Sequence, residues 1–208
     1  MRLLDLFCGA GGAGMGYHRA GFTVVGVDLA PQPEYPFTFV QTDALTYLES
    51  HWMEFDAVHA SPPCQASSTL TKGTNAGAVH VDLVPTVRRR LRDLPLPTIV
   101  ENVKSASLRP DLTLCGAFFG LRTYRHRYFE LSFGVPRPPH APHVGYVDGW
   151  RHGRWMKGTM IGVWGHGGGK GTVQDWQQAL DTPWIRSRKG LANAIPPAYT
   201  EWIGAAIP

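Results

Sequence analysis

Four groups of residues in this chain are of kinds that make and break bonds or hold a ligand while others do so. Cys64 follows two prolines in Ser61-Pro62-Pro63-Cys64-Gln65, after the short apolar run 57–60. A lone cysteine in a core is ordinarily an inert apolar group, but a thiolate on a stiffened loop at a strand end is a covalent nucleophile. Glu101 heads Glu101-Asn102-Val103 at the end of a second apolar run, 97–100, and offers a carboxyl acid. Arg125 and Arg127 flank His126, and their guanidinium groups carry several directed donors suited to oxygen. Finally, Gly9-Ala10-Gly11-Gly12-Ala13-Gly14 satisfies the GxGxxG pattern, and Asp28 follows at the distance at which an acidic residue takes ribose hydroxyls. Alone, that loop fits a nicotinamide-dependent oxidoreductase and a methyltransferase equally, and a purely structural turn is a third reading.

These groups need elements to position them. Residues 2–7 and 22–27 read as strands around a helix opening in 9–16, the start of a βαβ unit. Further strands are predicted at 37–40, 57–60 and 97–100, with helices at 44–53 and 79–94. The second of these helices carries Arg88, Arg89, Arg90 and Arg92, read as a solvated face. Residues 134–175 are rich in Gly, Pro, His and Trp and show no clear period, although 173–180 is helix-like. Regularity returns from Thr182, with a helix at 197–206. The alternation predicts an α/β domain with a mostly parallel sheet.

Taken together, Asp5-Leu6-Phe7-Cys8-Gly9-Ala10-Gly11-Gly12, Ser61-Pro62-Pro63-Cys64-Gln65, Glu101-Asn102-Val103, Arg125-x-Arg127 and Asn193-Ala194-Ile195-Pro196-Pro197 stand in the order of the motifs of the DNA cytosine-C5 methyltransferase family. The chain resembles a compact, phage-type member of it. The resemblance implies a Rossmann-like class I S-adenosylmethionine-dependent methyltransferase fold, with helices on both faces of the sheet. It implies Cys64 as the nucleophile toward cytosine C6, Glu101 as acid at N3 and reader of the exocyclic amine, Arg127 at O2 and bracing Glu101, and Arg125 steadying the catalytic loop. It places Phe7 against the adenine of S-adenosylmethionine, Asp43 at the adenine amino group, Asp28 on the ribose and Asn193 near the methionine part. Asp5, Gly9, Gly11, Gly12, Leu29, Ala44, Pro63 and Ala194 complete the expected cofactor pocket. Thr123 and Ala192 depart from the family's glutamine and glycine at those motif positions.

The implied organisation is a catalytic and cofactor-binding domain, 1–133, a reduced target-recognition region, 134–181, and a segment, 182–208, returning to the catalytic domain. Such a short reader suggests a recognition site of about two to four base pairs. Its Arg137, Arg151, Arg154, Lys157 and Lys170 suit phosphates, and Trp150, Trp155 and Trp164 suit stacking or wedging, although a small satellite core accounts for tryptophans equally well. The implied substrate is double-stranded DNA with a flipped cytosine, the implied biology restriction-modification or protection of phage DNA.

Bulk properties agree. The 208 residues, 43% hydrophobic, suffice for one well-packed domain, and a net charge of +4 permits a polyanionic partner without requiring one. No leader and no apolar run long enough for a bilayer span is evident, so a cytoplasmic protein of a bacterial or phage-infected cell is expected, without membrane contact and monomeric. Cys8, Cys64 and Cys115 lack CxxC spacing, and His140 and His143 show no partner spacing in sequence, so neither disulfide nor metal is expected. The competing classes are an oxidoreductase, a non-catalytic or partner-dependent DNA-binding relative, and a methyltransferase acting on transfer RNA.

Overall fold

The computed structural model describes residues 1–63, 82–104, 106–140, 142–151, 154–165 and 171–208, apart from the side chains of Trp150, Arg151 and Trp155. Cys64, Lys170 and residues 79–81 of the expected helix lie outside them. Strands β1 (Arg2–Leu6), β2 (Thr23–Asp28), β3 (Thr38–Gln41), β4 (Ala57–Ala60), β5 (Thr98–Asn102), β6 (Leu112–Leu114) and β7 (Arg127–Leu131) form one sheet of order β3-β2-β1-β4-β5-β7-β6. The β1–β5 pairings are parallel, whereas β7 runs antiparallel to both β5 and β6. This is the doubly wound arrangement expected, with a reversed strand inserted at one side. The central strands are buried on both faces, which is why they read as apolar runs without alternation.

Helices α1 (Gly12–Arg19), α2 (Ala44–His51) and α3 (Val84–Arg92) follow β1, β3 and the 82–83 approach. Helix α3 starts later than the expected residue 79 where it can be described. Leu83 caps it, Pro85 sits in its first turn, and Asp82 accepts from the Val84 N–H at 3.0 Å. Val84, Val87 and Leu91 face inward, and the arginine face is only partly solvated, because Arg88 pairs with Glu130 of β7 at 2.6 Å. Two core clusters cover the two sheet faces, one around Leu3, Tyr17 and Phe129 and one around Leu4, Leu6 and Val100.

Beyond β7, a short hairpin pairs β8 (Gly149–Arg151) with β9 (Arg154–Met156), in register Trp150 to Trp155. Helix α4 (Val173–Leu180) opens with a capping box of Thr172 and Asp175. Its Trp176 is fully buried in a third cluster with Ile161, Val163, Ile185 and Leu191, which reaches Ala10 of the glycine loop. Helices α5 (Arg188–Asn193) and α6 (Pro197–Gly204) complete the chain, and α6 packs along α1. Close approach is possible because α1 carries glycine at that face: a Cβ on Gly16 would collide with Pro197 O and Thr200 Oγ1.

Candidate active site

The parallel strands deliver the C-terminal ends of β1, β2, β4 and β5 to one edge, where ligands bind in open α/β sheets. At the end of β1 the chain turns through Phe7, at φ 58°, and Gly9, at φ 50°. A left-handed conformation at a non-glycine residue costs roughly 1–3 kcal/mol and persists only where the surroundings enforce it. Here the Cys8 N–H bonds to Val27 O at 3.2 Å, and the Gly9 N–H donates to Asp28 Oδ2 at 3.1 Å. Gly12 admits the last motif directly, since a Cβ there would strike Ile195 O and press on Ala194.

Around that loop the residues suit an adenosine-bearing ligand. Asp28 ends β2 with its carboxylate half-buried, anchored also by the Ala30 N–H at 3.0 Å, and a carboxylate so held keeps acceptor capacity for hydroxyls. Leu29 is 71% exposed beside it, an apolar surface waiting for cover. Phe7 is half-buried. Asp43 caps α2, its Oδ1 accepting from Thr46 N–H at 2.9 Å, so its placement has a structural cause independent of any ligand. Ala44 is buried behind it, and Asn193 and Pro63 are exposed.

Asp5 is fully buried beneath the loop, with Oδ2 receiving the Tyr35 hydroxyl at 3.2 Å. Its Oδ1 is buried without a hydrogen-bond partner among the described residues. Burial outweighs the Tyr35 bond and pushes its pKa up to about 7. An orphaned carboxylate oxygen under the glycine turn calls for a donor from a ligand, which fits the ammonium-bearing end of S-adenosylmethionine. Cys8, buried near Asp5 and Asp28, has its thiol pushed far up, which marks it as inert.

The residues expected to act on the base gather on β4, β5 and β7. Glu101 of β5 is buried and pairs through Oε1 with Arg127 Nε of β7 at 2.9 Å. Antiparallel pairing of β5 with β7 brings them together. Burial raises the Glu101 pKa against the pull of Arg127, Arg125 and a hydrogen bond from Ser61. The carboxyl is thereby biased toward the protonated form that an acid needs. Asn102 donates to Pro62 O at 2.8 Å, and the Ser61 N–H bonds Leu6 O at 3.1 Å, so the Ser-Pro-Pro lead into Cys64 is tied to both neighbouring strands.

Arg125, whose charge also acts on Glu101, reaches toward the last motif. Its guanidinium reaches Ala194 O at 2.9 Å, Ala192 O at 2.6 Å and Val163 O at 2.5 Å, stitching the last motif to the segment before α4. Tyr199 of α6 in turn donates to Arg125 O at 2.8 Å.

One part of the site escaped sequence reasoning. His59 is fully buried in β4, its Nδ1 2.9 Å from the Tyr17 hydroxyl and its Nε2 2.7 Å from Ser61 Oγ. Burial drives its pKa down to about 3, so the ring is neutral. One proton order satisfies the whole row: Tyr17 donates to His59, His59 to Ser61, and Ser61 to Glu101. The available signal was a histidine inside the otherwise apolar run Ala57–Ala60.

The strand order, with one reversed strand beside the parallel ones, is that of the class I S-adenosylmethionine-dependent methyltransferase fold. The signature of C-5 cytosine-specific DNA methylases matches residues 1–111, just over half the chain. A curated relative, the Type II methyltransferase M.AquIA of Picosynechococcus sp., is 33% identical over 68% of this chain and 77% of its own. The Type II methyltransferase M.AgeI of Thalassovita gelatinovora is 25% identical over 74% of this chain, which spans only 44% of that relative. Among solved structures, a mutant of Spodoptera frugiperda DNMT2 superposes with a TM-score of 0.47 at 18% identity, over 67% of this chain and 53% of its own. The chain belongs to the C-5 cytosine-specific DNA methylase family, whose methyl donor is S-adenosylmethionine and whose substrate is DNA.

Proposed function

We propose that this chain methylates C5 of a flipped cytosine in double-stranded DNA through a covalent adduct between Cys64 and C6. The observation that carries the reading is the buried Glu101–Arg127 pair, set one strand away from the Ser61-Pro62-Pro63 approach to Cys64. When bound, S-adenosylmethionine supplies a methyl group on a sulfonium that a carbon nucleophile can displace. Asp5, Phe7, Asp28 and Leu29 would hold it, with Ala194 and Asn193 closing the pocket.

Cytosine C5 is too weak a nucleophile unaided. The Cys64 thiolate adds to C6 while Glu101 gives its proton to N3, and the electron pair gathers at C5. Arg127 steadies charge on O2 and keeps Glu101 oriented. After C5 takes the methyl group, a base such as water takes the C5 proton, the C–H electron pair forms the C5=C6 bond, the C6–S pair leaves on sulfur as the thiolate, and N3 returns its proton to Glu101. Arg125 belongs to this machinery as the brace between the arginine motif and the last motif.

Flipping is required because a base within the stack shields C5 and C6 from a protein nucleophile. We assign reading of DNA to the 134–181 region, where Arg137, Arg154 and Lys157 are exposed, and expect a monomer acting on a short site in the cytoplasm of a bacterial or phage-infected cell. Trp164 is 38% exposed there. Among the described residues, no helix is long and apolar enough to cross a membrane.

The test is duplex DNA carrying 5-fluorocytosine, in which the last proton cannot leave. A covalent complex that needs S-adenosylmethionine and vanishes in Cys64→Ser is the expected result. Trapping by the serine variant would overturn the assignment, and methyl transfer to transfer RNA but not to duplex DNA would overturn the substrate. Methylation mapping that returned a six-base-pair site would refute the short reader.

A further inference from the structure

The sequence spacing of His140 and His143 suggests no metal, yet the fold gathers them with two other donors. Cys115 follows β6, and His126 precedes β7, the strand antiparallel to it, with Leu114 opposite Arg127. The chain then returns through Pro138, Pro139 and Pro142, presenting His140 and His143 to the same point. The donor atoms of Cys115, His126, His140 and His143 all lie within 4.8 Å of one another. Cys115 Sγ is 3.4 Å from His143 Nε2, and His126 Nε2 is 2.9 Å from His140 Nε2.

We propose that these four residues form a structural zinc site. One thiolate and three imidazoles make a closed tetrahedral donor set of the kind Zn2+ takes, whereas Mg2+ and Ca2+ require oxygen. Zinc bonds of ~2.0–2.1 Å to nitrogen and ~2.3 Å to sulfur place tetrahedral ligand atoms about 3.3–3.6 Å apart. The observed separations bracket that range, so side-chain rotations of an ångström or so complete the site.

The surroundings hold the ligands ready. Tyr124 stacks on His143, centroids 3.8 Å apart and planes at 10°, while its hydroxyl donates to Val144 O at 2.8 Å. Cys115 is buried, and His140 and His143 are exposed, giving an ion a path in. An ion here would pin His126, the residue between Arg125 and Arg127, to the root of the 134–181 region. The arginine motif and the segment assigned to DNA reading would thus share one anchor.

The inference stands apart from the catalytic reading, because its readout is metal content. The chain should be purified without chelator from zinc-supplemented cells and its metal measured by mass spectrometry. About one zinc per chain is expected, falling below one in five in Cys115→Ser and in His143→Ala. Apoprotein titrated with Co2+ should give tetrahedral visible bands and a thiolate-to-cobalt ultraviolet band, the latter absent in Cys115→Ser. S-Adenosylhomocysteine binding and circular dichroism of the His143→Ala variant check that the fold survives. A metal-free chain whose apoprotein gives no cobalt–thiolate band would overturn the proposal. So would zinc retained above half stoichiometry in both variants.

Discussion

Replacing Asp5 by asparagine is expected to make the protein more stable above neutral pH while weakening its hold on the cofactor. The carboxyl is fully buried, with one oxygen lacking a partner among the described residues, and its pKa is pushed from 3.8 up to about 7. A carboxyl with a raised folded pKa leaves stability intact below the unfolded value and erodes it as pH rises through the folded one. The interval is roughly three pH units at ~1.4 kcal/mol each, so the penalty reaches ~4 kcal/mol above pH 7 and vanishes below about pH 4. Asparagine keeps the shape and an acceptor for Tyr35 but never ionises. Urea unfolding of both proteins, without ligand, should show curves that coincide near pH 4 and diverge to a gain of up to ~4 kcal/mol for Asp5→Asn at pH 8. In the wild type, a cationic ligand group beside Asp5 favours the ionised form, so the thermal shift from S-adenosylhomocysteine should grow between pH 6 and pH 8. A stability difference independent of pH, or a variant less stable at pH 8 than at pH 5 relative to wild type, would refute the reasoning.

Glu101→Gln should lower single-turnover methyl transfer by about 10²–10⁴-fold, the usual worth of a positioned acid, with S-adenosylhomocysteine affinity unchanged. Ser61→Ala removes a hydrogen bond that favours ionised Glu101. Its carboxyl pKa should rise further, and the alkaline fall of kcat/KM should move to higher pH; no movement would exclude Ser61 from the row. Arg125→Lys gives up a fork that reaches three carbonyls, and urea unfolding should register a loss of about 3 kcal/mol. Chelation of the proposed zinc should lower the melting temperature of the wild type and leave Cys115→Ser unmoved, as differential scanning fluorimetry would show.

The parts legible in sequence were those written by burial on both faces. β1, β2, β4 and β5 are apolar runs stopped by glycine, proline or a charged residue, and their ends carry the motifs. β7 escaped notice because Arg127 and Glu130 interrupt its pattern, and both are satisfied by tertiary partners, Glu101 and Arg88. β6 has only three residues, and α5 is six residues long with Gly190 inside it. The row from Tyr17 to Ser61 joins residues far apart in sequence, so only the fold could reveal it. Tyr35, which caps Asp5 from the loop between β2 and β3, was hidden for the same reason. The histidine cluster is the sharpest case, since its ligands have no recognisable spacing until an antiparallel pair and a proline-rich return bring them together.

The packing of α6 on α1 also bears on the order in which the chain acquires its parts during synthesis. Gly12 and Gly16 leave a groove on α1 that is filled by residues from Ala194 to Thr200, and Thr200 caps it with a bond to Ala13 O at 2.8 Å. Until those residues leave the ribosome, the nascent α1 has a bare glycine face and the cofactor edge lacks one wall. Contacts of such long sequence separation form late and slowly. The segment proposed to carry the nucleophile is therefore made long before the chain can hold a methyl donor, and competence should arise in one step as α6 docks.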